Sequence, residues 1–217
     1  MDIRIAFLDC DGTLTKVKSS WEYLHRRLNI WDGLAVNYQE LFRAGKIDYV
    51  EFCEKDASLW KGLTIKKVME IVSEIEYQEG AKTLIEFLRS LNIYTVIVST
   101  GLSFVVEKVK RELGIDMALS NELLSENGVL NGGVKINVEF NKKDRMVKNI
   151  LNAFGLEKTH ACAVGDGEGD EGLFNAVNLA IILSDNIKHH KKDEYFYCST
   201  LNDAKNILEK HIKNSEG

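Results

Sequence analysis

Ile3-Arg4-Ile5-Ala6-Phe7-Leu8-Asp9-Cys10-Asp11-Gly12-Thr13 is an apolar run that ends in two carboxylates and a glycine. The run reads as a strand, and the acids then stand at its C-terminal tip. In open parallel sheets, ligands bind in the crevice beyond that tip. Side chains at i and i+2 along an extended backbone point the same way, so Asp9 and Asp11 can converge on one metal or phosphate. The plainer alternative is an Asp-Gly turn that closes a strand.

The surrounding chain sets the fold. Further strand-like apolar runs fall at 94–98, 161–164, 179–183 and, more weakly, 195–198. Residues 80–91, 104–113, 144–154, 172–177 and 201–212 space apolar side chains by three and four, the mark of a helix face packed on a sheet. Strand alternating with helix predicts an α/β fold with a doubly wound, mostly parallel sheet. Residues 17–78 break the alternation, because 20–28, 31–44, 49–60 and 65–75 all carry helical periodicity. This predicts a core of residues 1–16 and 79–217 and a helical cap inserted over 17–78, above the strand tips where a lid belongs. Residues 123–140 predict a β-hairpin turning at Asn127-Gly128.

With 217 residues, 45% of them apolar, the chain can bury one large domain or one domain with an insertion. A formal charge of -5 with no extended basic run argues against a nucleic-acid footprint. No apolar stretch reaches the roughly 18 residues of a membrane span. Met1-Asp2-Ile3-Arg4 leads into a strand rather than a signal peptide, so the expected location is the cytoplasm. Cys10, Cys53, Cys162 and Cys198 are widely spaced and read as free thiols.

Three predicted strands end in polar clusters: Asp9, Asp11 and Thr13; Ser99-Thr100-Gly101; and Gly165-Asp166-Gly167-Glu168-Gly169-Asp170. Ser99-Thr100-Gly101 opens onto a helix and resembles an anion seat, with a helix cap as the plainer alternative. Acids gathered at one edge repel one another unless a cation lies between them, and a hard divalent ion such as Mg2+ takes carboxylate oxygens. A carboxylate can attack phosphorus while a second one protonates the leaving oxygen and then activates water. Lys142-Lys143 supplies a cation for the transferring group, although such a pair is more often a solvated face. Trp21, Tyr23, Trp31, Tyr49 and Trp60 fall in the predicted cap, mostly as bundle core, with one or two available to a pocket roof.

Asp9-Cys10-Asp11-Gly12-Thr13-Leu14-Thr15, Val98-Ser99-Thr100-Gly101, Lys143 and Gly165–Asp170 together resemble the four ordered motifs of the haloacid dehalogenase superfamily of phosphohydrolases. The insertion and the hairpin are similar to those of its phosphoserine-phosphatase branch. The resemblance implies Asp9 as nucleophile, Asp11 as general acid/base, and a phosphate seat of Gly12, Thr13, Ser99, Thr100, Gly101 and Lys143. It also implies Mg2+ held by Asp9, the Asp11 carbonyl and Asp166, with Asp170 behind them, and a small-molecule phosphomonoester as substrate.

Three departures bear on substrate. The branch usually carries Asn where Gly169 stands, which implies weaker phosphate binding or a water in that space. Its serine-specific members carry Glu nine residues after the nucleophile and Arg in the cap, where this chain has Lys18 and Asp56. Both charges are reversed, which predicts a substrate other than phosphoserine; the alternative is a Lys18–Asp56 ion pair closing the cap.

Rival readings remain open to comparison. Gly167-Glu168-Gly169-Asp170-Glu171-Gly172 formally fits a dinucleotide fingerprint, but its acids would oppose a pyrophosphate. A non-catalytic phosphoryl-accepting module would have little use for Asp11; a phosphotransferase of the same fold, or a non-catalytic phosphoryl-accepting or nucleotide-binding domain, stands as the alternative.

Overall fold

The computed structural model describes residues 1–167, 169–184 and 195–213; Glu168 lies outside the described residues. The elements run β1 (Ile5–Leu8), α1 (Ser20–Arg27), α2 (Val36–Arg43), α3 (Tyr49–Ser58), α4 (Ile65–Ser73), α5 (Ala81–Ser90), β2 (Tyr94–Leu102), α6 (Ser103–Leu113), β3 (Met117–Glu126), β4 (Val129–Lys135), α7 (Lys143–Phe154), β5 (Ala161–Gly165), α8 (Glu171–Asn175), β6 (Leu179–Leu183), β7 (Tyr195–Cys198) and α9 (Leu201–Lys213). The strands form one sheet in the order β4-β3-β2-β1-β5-β6-β7. All neighbours pair in parallel except the β3–β4 edge, so the expected α/β sheet is what the chain builds.

β1 lies at the centre and is buried on both faces, with two-residue alternation deciding which layer each side chain joins. Ala6 and Leu8 pack with α5, α6, α9 and the helices of residues 17–78, whereas Ile5 and Phe7 pack with α7 and α8. Each fully buried Leu or Phe of this kind contributes about 1.5–3 kcal/mol. All four cysteines are buried free thiols.

Three expectations of extent are corrected. The helix read over 31–44 is broken at Asp32-Gly33, because Gly33 adopts φ 98, ψ -117, a region open only to glycine; regular helix resumes at Val36. β2 continues past Val98 to Leu102 with a shift of register against β3, so Ser99-Thr100-Gly101 lies within a strand end. β3 begins at Met117: its first half pairs in parallel with β2 before its second half turns into the hairpin. The hairpin turn at Asn127-Gly128 has φ 49 and φ 79, the doubly left-handed backbone of a type I′ turn.

The hairpin is also stitched to residues 62–65. Gly62 N donates to Leu130 O (2.9 Å), Leu130 N to Leu63 O (2.8 Å) and Ile65 N to Gly128 O (2.9 Å). Among the described residues, no helix is long and apolar enough to cross a membrane.

Candidate active site

The C-terminal tips of β1, β2 and β5 meet, as adjacent parallel strands must. Asp9 follows β1 and is nearly buried. Lys143, the first residue of α7, reaches it from the far side of the sheet: Nζ donates to Asp9 Oδ1 and to Asp170 Oδ1, both at 2.6 Å. Burial opposes the Lys143 charge, but Asp170 and Asp9 outweigh it and hold the ammonium above the usual lysine range. Thr13 Oγ1 donates to the other Asp9 oxygen at 3.4 Å. Asp170 has no freedom, since its Oδ2 accepts Asp166 N–H at 3.2 Å. Gly165 makes room for it, because a Cβ there would lie 2.4 Å from Asp170 Oδ2.

Asp11 faces the same space from one turn on. Ser20 N–H, at the start of α1, donates to Asp11 Oδ2 at 2.6 Å, while Oδ1 is buried without a partner among the described residues. Burial, only partly offset by Ser20, raises its pKa to about 6, where a carboxyl can both give and take a proton near neutrality. Gly101 brings β2 against it, since a Cβ there would meet Asp11 Oδ2 at 2.7 Å.

Asp9, Asp166 and Asp170 can each offer one oxygen within 4.8 Å of the others. Burial first, then Asp9 and Asp170, push Asp166 up to about 7. Lys143 offsets part of this charge, and an all-oxygen donor set of three carboxylates still fits a hard divalent cation such as Mg2+. Gly12 permits the approach: at φ 77 it lacks the Cβ that would sit 2.3 Å from Asp166 Oδ2.

The remaining sequence candidates are placed differently. Ser99 is buried, and its Oγ accepts Gly101 N–H at 3.0 Å rather than lining the cavity. Thr100 does line it, with its carbonyl accepting from Trp21 Nε1 (3.1 Å), Tyr49 Oη (3.2 Å) and Asn121 Nδ2 (3.0 Å). Gly12 N–H is taken by Val17 O at 2.6 Å. The Lys18–Asp56 ion pair does not form. Lys18 is largely exposed with Nζ 3.5 Å from Asp166 Oδ2, and Asp56 is buried with its Oδ1 3.3 Å from His25 Nε2. Burial raises the Asp56 pKa against the pull of His25. At Gly169 the Phe140 ring closes in, since a Cβ there would lie 2.7 Å from it.

His25 and Asn121 were not singled out by sequence reasoning. His25 lies 4.4 Å from the Trp60 ring, centroid to centroid, on a helix other than that of Asp56, and no local pattern announces the pairing. Asn121 is wholly buried; its Nδ2 reaches Tyr49 Oη, Thr100 O and Val138 O, and its Oδ1 accepts the N–H groups of Asn137 and Val138. Asn121→Asp turns its donors into acceptors that face other acceptors. It is expected to lower stability by about 2–4 kcal/mol in denaturant unfolding, since buried polar atoms lose partners on three segments. An unchanged midpoint would refute that placement.

One cavity of about 890 Å3 joins these groups, lined by Asp9, Asp11, Lys143 and Asp166 at the bottom and by aromatic side chains above. The haloacid dehalogenase-like hydrolase family matches residues 6–174. The phosphoserine phosphatase of Archaeoglobus fulgidus is 32% identical over 88% of this chain, which spans 54% of that relative's length. That of Campylobacter jejuni subsp. doylei is 31% identical over 76% of this chain and 79% of its own. The solved structure of a phospho-aspartyl intermediate analogue of phosphoserine phosphatase superposes with a TM-score of 0.79 at 26% identity, covering 97% of this chain and 99% of the other. A match over most of the sequence, on a sheet whose strand tips gather the motif residues, makes this chain a phosphoserine-phosphatase-like member of the haloacid dehalogenase-like hydrolase family.

Proposed function

We propose that the protein is a Mg2+-dependent phosphomonoesterase that works through an aspartyl-phosphate on Asp9, beneath a cap formed by residues 17–78. The convergence of Asp9, Asp11, Lys143 and Asp166 on one cavity carries this reading. The Asp9 carboxylate attacks phosphorus, the bond to the alcohol oxygen breaks, and Asp11 donates its proton to that leaving oxygen. Asp11 then takes a proton from water as the water oxygen attacks phosphorus, which releases phosphate and regenerates Asp9. Lys143 balances the charge of the transferring group, and Asp170 keeps Lys143 and the Asp166 backbone in place. Asp9, Asp166 and the Asp11 carbonyl would hold the metal, which when bound neutralises phosphate charge. The Ser20 contact links the acid/base to the cap, because α1 orients the proton-carrying group.

The substrate is a small phosphomonoester other than phosphoserine. A lysine at position 18 opposes an ammonium group, and the buried Asp56 opposes a carboxylate; both would cost recognition.

Phosphate release from a panel of phosphomonoesters that includes O-phosphoserine tests this directly. Turnover is expected to need Mg2+, to disappear with chelator and to favour another ester. With p-nitrophenyl phosphate, whose leaving group needs no proton, Asp11→Asn is expected to give a burst of about one equivalent of nitrophenol and then stall, because the phosphoenzyme loses its base. Steady turnover without a burst would remove Asp11 from the second step.

A further inference from the structure

We propose that the ester's alcohol part carries a planar ring, and that Phe42, Phe52 and Phe140 hold it; the inference rests on the phosphatase reading above. Phe42 from α2 and Phe52 from α3 stack with centroids 5.1 Å apart and planes 8° apart. Phe140, from the stretch between β4 and α7, meets Phe42 edge-on at 5.7 Å and Tyr49 at 6.3 Å. All four rings line the cavity that holds Asp9 and Asp11.

These rings border the core, where Tyr49 and Phe52 pack against it, without being enclosed by it. Trp60 and Phe7 are fully buried, whereas Phe42, Tyr49, Phe52 and Phe140 are each only partly buried and leave apolar surface open to the cavity. Apolar surface held open in a cleft is stabilised when a ligand covers it. The volume, about 890 Å3, suits a ligand far larger than a serine side chain, since pockets of roughly 300–1,000 Å3 enclose drug-sized molecules. The wall begins at the phosphate end. Gly169, in the acidic motif itself, has no Cβ to hold Phe140 away, so one edge of the wall adjoins Asp166 and Lys143. An ester whose phosphate sits on Asp9 therefore projects its alcohol part along aromatic faces and edges, which favour an offset or edge-on ring over a saturated group of equal size.

Benzyl phosphate and cyclohexylmethyl phosphate separate planarity from bulk. The expected kcat/KM for benzyl phosphate is about tenfold above that for cyclohexylmethyl phosphate and 10- to 100-fold above that for O-phosphoserine. Phe42→Leu is expected to raise KM for benzyl phosphate and bring the ratio of the two bulky esters close to one, with kcat within about threefold. A merely structural ring would lower both esters together and keep the ratio. Equal kcat/KM for the two bulky esters in the native enzyme, or preference for O-phosphoserine, overturns the inference. If no ester turns over, calorimetric binding of benzylphosphonate against cyclohexylmethylphosphonate decides: tighter binding of the aromatic compound upholds the ring site while the phosphatase reading fails, and equal binding refutes the ring site too.

Discussion

Asp9→Asn is expected to lower phosphate release by on the order of 10^4- to 10^6-fold while the protein stays folded. The amide keeps the shape of the carboxylate, and its one oxygen can still accept from Lys143 while its NH2 turns to the Thr13 hydroxyl, which can accept; but an amide is a poor nucleophile toward phosphorus. Lys143 keeps Asp170 as its counter-charge, so the buried ammonium is not stranded. A melting temperature within a few degrees of the native value, with turnover at background in Mg2+, is the expected pair of results. A residual rate above about one-thousandth would mean that another group attacks phosphorus.

Lys143→Met should damage both stability and activity. The ammonium is almost fully buried between Asp9 and Asp170, and methionine replaces its bulk without its charge. Breaking a buried ion pair from one side costs about 3–5 kcal/mol, because the acids left behind are uncompensated. Activity should fall by about 10^3- to 10^5-fold with the loss of a cation on the transferring group. The pH dependence has a definite sign. Asp11, Asp166 and Asp170 have folded-state pKa values raised to about 6, 7 and 6, so these three groups hold more protons in the folded chain than in the unfolded one between about pH 4 and 7. Their contribution to metal-free stability therefore falls as pH rises through that window. The slope should be steeper in Lys143→Met, where Asp170 loses its lowering partner. Thermal melts at pH 5 and pH 8 measure it; a variant as stable as the native protein at pH 8 would refute the buried-triad account.

The sheet was legible in the sequence because each parallel strand is a short apolar run set off by an amphipathic helix. Its tips were legible because acids and glycines interrupt those runs at corresponding places. What escaped was whatever depends on partners distant in sequence. The first half of β3, Met117–Asn121, is only partly apolar and becomes a strand by pairing with β2. Gly33 reads as one tolerated glycine in a helical pattern, yet its backbone ends the helix. Asp56 was noticed for its charge, but the partner that holds it, His25, stands 31 positions earlier on another helix. Phe140 looked like the end of a hairpin, and only the tertiary structure sets it against Gly169.

The three hydrogen bonds between residues 62–65 and the hairpin bear on how substrate reaches Asp9. A lid tethered only by its two chain crossings could swing on them alone. Here an excursion of residues 17–78 must either tear those bonds or drag β4 with it. β4 runs by way of residues 136–142 into Lys143, and Asn121 clamps Val138 of that connection to Thr100 and Tyr49. On the proposed reading of residues 17–78 as a cap, gate and charge clamp share a strand, so an opening movement is expected to loosen the Lys143 contact with Asp9 as well.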